Sequence, residues 1–194
     1  HVNVFYGRHK VSAENFFSEY PPTIRFVNGS SLSGNAYVDI KNLLPPFNSE
    51  NIIPRDWTGV NLRKESQGID PKITDSIQYH LLQELKQGDY DIIYDDDNSG
   101  EVADIITIKK LDTSFCVELY HLKFAKNGTT GKDINDLYQV CGQSQKCVNW
   151  KFKEGNELFD HMLRRETKKK GMQHCSRIEK GSKHMLEKFR SIEK

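Results

Sequence analysis

Residues 101–123, EVADIITIKKLDTSFCVELYHLK, hold two β-like apolar runs on either side of a short polar segment, and this pattern constrains the fold most strongly. Such runs predict an antiparallel strand pair. A turn centred between Asp112 and Thr113 sets a register in which Asp104 and His121 face each other across the ladder. Their Cβ atoms are then roughly 5 Å apart. The hairpin therefore predicts that a carboxylate and an imidazole meet on one sheet face.

Lys123 is expected to join this pair as the diagonal neighbour of Asp104. Alternation with a period of two puts His121 and Lys123 on one face of the strand and Glu118 on the other. A carboxylate and an imidazole can hold a divalent cation, while an ammonium can orient water or stabilise charge on a phosphate. The three side chains therefore predict phosphodiester hydrolysis. The same spacing also fits an Asp–His hydrogen bond in a polar patch, with Lys123 reaching solvent along its alkyl stem.

Two predicted helices and a further strand surround the hairpin. Apolar residues at helical spacing in residues 73–85, with Thr74 or Asp75 as the N-cap, predict the first helix. YDIIY, residues 90–94, predicts a buried strand before the hairpin. Helical spacing in residues 133–150 predicts the second helix. The predicted order is therefore helix, three strands, helix.

Three segments carry a resemblance to a known family: DDDNSGEVADIITI, LYHLK and DLYQVCGQSQKCVNW. Together with the order of elements, they resemble the PD-(D/E)xK nuclease superfamily. More narrowly, they are similar to a nuclease-like domain attached to superfamily 2 DEAD/DEAH helicases in bacterial DNA-processing and defence proteins. The similarity is concentrated in residues 65–150. It implies an α/β protein with a restriction-endonuclease-like core of a helix, a three-strand meander and a helix.

The resemblance also implies roles for individual residues. Asp104 is the implied metal-binding acid, His121 stands where a second carboxylate is usual, and Lys123 is the implied catalytic lysine. Gln143 is implied to belong to the catalytic site and Lys146 to contact DNA, although an ordinary amphipathic helix also explains their spacing. The implied cofactor is Mg²⁺ or Mn²⁺.

His121 departs from the family pattern, which has Glu or Asp two residues before the lysine. A neutral imidazole offsets less of the charge of Mg²⁺ than a carboxylate does, so weak metal affinity, a preference for Mn²⁺ or loss of activity can follow. A compensating acid is expected from Glu84, Glu101 or Glu65. Glu84 is the predicted metal ligand, because some families of the superfamily carry an acid on the first core helix; an exposed helix glutamate is the alternative.

Charge is unevenly distributed along the chain, although the net charge is only +1. Residues 151–194 contain 13 Lys or Arg against 7 Asp or Glu, which leaves 15 against 20 of the total 28 and 27 for the rest. A basic end can bind nucleic acid. Lys168, Lys169 and Lys170 in RRETKKK are the predicted contacts, and a solvated helix face is the alternative.

The acidic run of Asp95, Asp96 and Asp97 allows two interpretations. Its carboxylates could bind a cation. However, DDDNSG has strong turn chemistry and lacks the full spacing of a calcium-binding loop. We therefore expect a polar turn at this point of the chain.

The domain organisation follows from these patterns. Residues 1–64 are expected to form a β-rich subdomain and connector, with two strands around a turn at Asn28 and Gly29. Residues 65–152 form the predicted nuclease-like core. Residues 153–194 are the predicted basic helical segment.

Composition and missing motifs bear on the partners and the compartment. No apolar stretch approaches the roughly 20 residues of a membrane span, and the first residues lack the charged and apolar pattern of a secretory signal, so export is not expected. The four cysteines form no C-x-x-C pair, which favours reduced thiols and a cytoplasmic location. No P-loop motif occurs, so the helicase motor domains that the resemblance implies are expected elsewhere in a longer parent chain. The expected partners are DNA and those motor domains.

The predicted function is that of a metal-dependent DNA endo- or exonuclease module. An alternative is a catalytically inactive DNA-binding module on the same fold, suggested by His121 and the basic tail. A third hypothesis is structural: residues 1–60 form a β-rich surface that positions the module on a partner.

Overall fold

The computed structural model describes residues 2–6, 9–26, 30–39, 48–131, 133–147, 150, 153, 155–168, 170 and 173–192. The chain divides into two compact units, His1–Pro54 and Arg55–Lys194. This division falls earlier than the predicted boundary at residue 64, because the segment after Pro54 bonds into the second unit: the Ala125 amide donates to the Leu62 carbonyl at 2.7 Å. Residues 153–194 belong to the second unit and not to a separate one.

The first unit contains five short strands, one α-helix and a short 3-10 helix (Ser49–Asn51) among its described residues. They are β1 (Asn3–Tyr6), β2 (His9–Ser12), α1 (Ala13–Glu19), β3 (Thr23–Arg25), β4 (Ser31–Ser33) and β5 (Ala36–Val38). β1 and β2 form an antiparallel pair, and β3, β4 and β5 form an antiparallel sheet. β3 and β4 correspond to the two strands expected around the turn at Asn28 and Gly29, while residues 27–29 lie outside the described residues.

A four-stranded antiparallel sheet organises the second unit. Its strands are β6 (Ile92–Asp95), β7 (Ile105–Lys110), β8 (Phe115–Tyr120) and β9 (Ile178–Lys180), in the order β8-β7-β6-β9. β7 and β8 pair in the predicted register: Ile105 lies opposite Tyr120, so Asp104 and His121 come next at the same end of the ladder. The sequence does not predict β9, because a segment of three residues is too short to show the alternation of apolar and polar residues that is typical of a strand.

The described part of the second unit also contains four α-helices. They are α2 (Ile77–Lys86), α3 (Ile134–Cys147), α4 (Gly155–Glu166) and α5 (Lys183–Ile192). α2 packs with Ile93 and Ile105 on one face, while α4 and α5 pack with Ile106 and Ile108 on the other. The strands therefore bury both sets of alternate residues, as expected for a middle layer. The predicted order of helix, three antiparallel strands and helix is present, and the fold is mixed α/β.

Two helices differ in detail from the prediction. Ser76 caps α2 in place of either predicted residue, and its hydroxyl accepts from the Tyr79 amide at 3.2 Å. The apolar stripe of α3 is exposed: Ile134 and Tyr138 are 65% and 72% accessible. The more buried face of α3 is the one that carries Cys147. Among the described helices, none combines the length and the apolar character needed to cross a bilayer.

Candidate carboxylate site

Three carboxylates converge where β6 turns into β7. Asp97 and Glu101 stand at the two ends of the connecting turn, and Asp104 immediately precedes β7. One ligand oxygen from each residue lies within 4.8 Å of the other two. Asp104 is buried and the other two are half-buried. We call Asp97, Glu101 and Asp104 the carboxylate cluster.

Hydrogen bonds within the turn hold Glu101 in place. The Glu101 amide donates to the Asn98 carbonyl at 3.1 Å, and Glu101 Oε2 accepts from the Asn98 amide at 2.9 Å. Asn98 and Gly100 have φ values of 103° and 84°, which asparagine and glycine adopt more readily than other residues. The DDDNSG segment therefore folds back on itself and returns Glu101 towards the end of β6.

A buried lysine lies beside the cluster. Lys170 is 3% exposed, and its ammonium is 2.6 Å from Asp95 Oδ2 and 3.8 Å from Asp97 Oδ2. The side-chain amides of Gln67 and Gln78 also donate to the Asp95 carboxylate, at 2.7 and 3.1 Å. The prediction that Lys170 contacts nucleic acid is therefore wrong, because its ammonium is enclosed by protein acceptors.

The neighbourhood of the cluster holds excess negative charge. Asp95, Asp97, Glu101 and Asp104 are four carboxylates, and within the described part of the chain Lys170 is the only ammonium or guanidinium group paired with them. Burial raises the pKa of Glu101, and the negative charges of Asp104 and Asp97 raise it further. A bound divalent cation would relieve this repulsion.

His121 lies against Asp104, as the hairpin register predicts. Its Nδ1 is 3.7 Å from Asp104 Oδ2, beyond hydrogen-bonding distance, and this buried nitrogen has no hydrogen-bond partner among the described residues. Asp104 Oδ2 accepts instead from the Leu122 amide at 2.9 Å. On the other side of the ring, Nε2 is 3.0 Å from Cys147 Sγ. His121 therefore contacts the cluster through Asp104 without being one of its three members.

Lys123 occupies a different position from the predicted one. β8 ends at Tyr120, so strand geometry does not continue to Lys123. In the described structure its ammonium pairs with Glu65 Oε2 at 3.3 Å, and not with Asp104, and it lies 4.0 Å from the centre of the Phe124 ring. Glu65 Oε2 also accepts from the Phe124 amide at 2.7 Å. Glu65 is thus a partner of Lys123, outside the cluster.

A cavity of about 440 Å³ adjoins these side chains. Its walls come from residues 121–131, from Asp133 and α3, and from Trp57, Leu62 and Ile77, and both His121 and Lys123 line it. Gln143 lies one helical turn before Cys147, so it is on the same face of α3 that contacts His121. Its Oε1 is buried and has no partner among the described residues. His121, which contacts Asp104, therefore also lines this cavity, while the three cluster carboxylates do not.

Other predicted site residues do not join the cluster. Glu84, the predicted metal ligand, is exposed on α2 and forms an ion pair with Arg55. It is therefore not part of the carboxylate cluster. Lys146 is part of α3, but its side chain lies outside the described residues, as does the whole of Lys169. Lys168 is exposed after α4 and lines a separate cavity.

The predicted polar turn is present at residues 98–100, but the acidic run that precedes it is largely buried. Asp95 and Asp96 are 3% and 0% exposed. Asp96 pairs with the Arg165 guanidinium, its Oδ2 is 3.0 Å from His161 Nε2, and it accepts from the Val102 amide at 2.7 Å. The run therefore completes a central strand and anchors α4, and the turn begins only after Asp96.

Comparison of the chain with protein-family models, with curated proteins and with solved structures finds no match. The resemblance to the PD-(D/E)xK superfamily therefore stays a prediction from sequence motifs. The structure supports the coarser description, a mixed α/β fold with antiparallel sheets. The chemistry of the site rests on its own geometry.

The sequence analysis favoured a turn over a metal ligand for Asp97, which belongs to the cluster, and it predicted Lys170 as a nucleic-acid contact, whereas Lys170 lies buried beside the cluster. Asp97 had a usable signal: residues at the two ends of a short connection between antiparallel neighbours lie close together, and Asp104 is at the far end of that connection. Glu101 was among the possible compensating acids. Lys170 had no comparable signal, because its partner Asp95 is distant in the sequence and the KKK run is typical of exposed chain.

Proposed function

We propose that the second unit is a metal-dependent phosphodiesterase that hydrolyses DNA, with the metal bound by the carboxylate cluster. The observation that carries this proposal is the convergence of Asp97, Glu101 and Asp104 within 4.8 Å. Their excess negative charge supports a cation at this point. We further propose that the protein works in the cytoplasm with the helicase motor domains of a longer parent chain, which rests on the sequence resemblance alone.

The donor set fits the implied metal. Carboxylate oxygens are preferred ligands of Mg²⁺ and Mn²⁺, and three of them supply the negative charge that an Asp–His pair lacks. Asp97, Glu101 and Asp104 would hold the ion, with modest side-chain rotation closing their oxygens around it. A bound divalent cation lowers the pKa of water and stabilises charge on a phosphate oxygen.

The chain's own groups would orient the reactants. The Leu122 amide fixes one oxygen of Asp104, and the other accepts no hydrogen bond from the described residues. His121 Nδ1, buried and unpartnered among the described residues, is available to hydrogen-bond a water or phosphate oxygen near Asp104. Lys123 lines the same cavity and can stabilise negative charge on a phosphate that enters it. These roles require the substrate to approach along the 121–131 segment.

The direct test is cleavage of supercoiled and linear DNA in Mg²⁺ and in Mn²⁺. We expect wild-type protein to cut, and Asp104→Asn and Glu101→Gln each to lose at least about a hundredfold in rate, because each removes a metal ligand. Glu84→Gln is the matched control: it removes an acid that the sequence favoured but that the structure pairs with Arg55, so its rate should equal wild type. Equal cutting by wild type and Asp104→Asn would refute the proposal.

A second candidate function is DNA binding without hydrolysis. The observation that favours it is the pairing of Lys123 with Glu65, which draws the implied catalytic lysine away from Asp104. In that case wild type binds DNA at low salt, cuts in neither metal, and binds equally after Asp104→Asn. Cleavage that depends on Asp104 excludes this alternative.

A further inference from the structure

A second cavity, of about 440 Å³, lies beside the turn that carries the cluster. Asn98, Ser99 and Gly100 form one wall. The other walls are basic side chains from α4 and from the segments that follow it: His161, Arg164, Arg165, Lys168 and Arg177. Among the residues that the structure describes, no acidic side chain lines the cavity. We call it the basic pocket.

The positive charge of the basic pocket is only partly neutralised by protein carboxylates. Asp96 pairs with Arg165 beneath the pocket. Arg177 donates instead to neutral main-chain carbonyls, those of Asp95 at 3.2 Å and Asp97 at 2.9 Å. Arg177 is 4% exposed, and its Nε is buried without a hydrogen-bond partner among the described residues. A buried guanidinium with a spare donor and no carboxylate favours an anionic ligand.

Two further cations stand at the mouth of the pocket. Arg164 is exposed, its Nε donates to the neutral Asp160 carbonyl at 3.3 Å, and it forms no ion pair among the described residues. Lys168 is exposed and forms no ion pair within the described structure. Guanidinium and ammonium groups converging on one cavity match a tetrahedral oxyanion with several acceptor oxygens. Phosphate is the common biological anion of this kind.

The position of the pocket relates it to the carboxylate cluster. Asp97 and Glu101, at the ends of the turn, belong to the cluster, while Asn98, Ser99 and Gly100 between them line the pocket. A single short turn thus separates a cation-binding side from an anion-binding side. We propose that the basic pocket binds one phosphate group of a nucleic-acid strand whose neighbouring phosphodiester reaches the carboxylate cluster. The identity of the ligand as nucleic acid rests on the proposed function.

The test measures binding in EDTA, where hydrolysis cannot occur. Fluorescence anisotropy compares short single-stranded oligonucleotides with a 5′-phosphate and with a 5′-hydroxyl. The pocket variant is Arg164→Gln with Lys168→Gln, and the control is Lys183→Gln with Lys188→Gln on α5, which removes the same charge from another exposed surface. We expect the pocket variant to lose about tenfold or more in affinity and the control less than about twofold.

The two arms identify the source of the phosphate. If the pocket variant loses affinity equally for both oligonucleotides, the pocket binds an internal backbone phosphate. If it loses affinity only for the 5′-phosphorylated oligonucleotide, the pocket binds a terminal phosphate. Either result supports phosphate binding by the pocket. Equal binding by the pocket and control variants overturns it, as does a lack of binding by wild type at low salt. Lys168→Glu, a single change at an exposed position, gives the same test if the double variant folds poorly. Absent cleavage in Mg²⁺ or Mn²⁺ refutes the proposed hydrolysis and leaves this binding result unaffected.

Discussion

Replacing Glu101 with glutamine should stabilise the second unit when no metal is present and should remove most of its stabilisation by metal. Glutamine keeps the oxygen that accepts from the Asn98 amide, so the turn is preserved. What the change removes is a negative charge that lies within 4.8 Å of both Asp97 and Asp104. The change should thus raise stability without metal and lower the stabilisation by metal. An ordinary polar turn would not show this pair of opposite effects.

The distance sets the size of the effect. Two unit charges 4.8 Å apart repel by about 3 kcal/mol at an effective dielectric constant of about 20, and by about 1 kcal/mol in bulk water. Glu101 is half-buried and has two such neighbours, so solvent screening brings the expected gain to about 2 kcal/mol. For a unit of this size, that gain raises the melting temperature by about 4 to 8 °C.

The sign of the pH dependence follows from the raised pKa of Glu101. A carboxyl group whose pKa is raised by folding binds its proton more tightly in the folded state, so metal-free stability falls as pH rises above the ordinary value of 4.5. The advantage of Glu101→Gln should therefore be absent at lower pH and appear as pH increases. Added Mg²⁺ or Mn²⁺ should stabilise wild type in the same upper range.

Tryptophan fluorescence is the appropriate assay. Both tryptophans, Trp57 and Trp150, belong to the second unit, so a thermal melt reports on that unit alone. Wild type, Glu101→Gln and the control Glu84→Gln are melted in EDTA and again in excess metal. If Glu101→Gln is less stable than wild type in EDTA, or if all three proteins gain equally from metal, the reasoning about the cluster is refuted.

Two further predictions concern buried charges. Burial alone would raise the pKa of Glu179, but hydrogen bonds from Lys72 and Lys86 outweigh it and lower the pKa to about 2. The free energy of unfolding of wild type should therefore fall by about 3 kcal/mol as pH falls from 4.5 towards 2, and that of Glu179→Gln should fall less. An equal dependence on pH in the two proteins would contradict this. Asp96→Asn should cost about 3 kcal/mol in urea unfolding, because it leaves the buried Arg165 charge without its carboxylate; a cost below about 1 kcal/mol would show that the ion pair matters little.

Local patterns predicted the hairpin well. The turn between β7 and β8 is short, and alternation of apolar residues leaves little freedom in the register. Asp104 and His121 accordingly meet at the end of the ladder, and Glu118 lies on the opposite face, where it accepts hydrogen bonds from Tyr90 and Tyr120. These are consequences of strand geometry over residues close in sequence.

The position of Lys123 could not be predicted in the same way. The ladder ends at Tyr120 because the next amide to face Asp104, that of Leu122, bonds to the Asp104 side chain. Lys123 then meets Glu65, which comes from a segment without periodicity before α2. A tertiary partner of this kind leaves no trace in the alternation of the strand.

The buried acids show the same limit. DDDNSG is typical of a solvated turn, yet Asp95 and Asp96 are enclosed because Lys170 and Arg165 reach them from the C-terminal part of the chain. Sequence composition treats each run separately, so an acidic turn and a basic tail look like two exposed segments. Their pairing is a long-range contact that offsets the cost of burying each charge.

The most direct test of the carboxylate cluster is an anomalous diffraction measurement on crystals grown with Mn²⁺. We expect one strong anomalous peak in contact with the carboxylates of Asp97, Glu101 and Asp104, and its loss in Asp104→Asn crystals. Wild-type crystals at saturating Mn²⁺ that show no peak between these three side chains would contradict the proposed metal site.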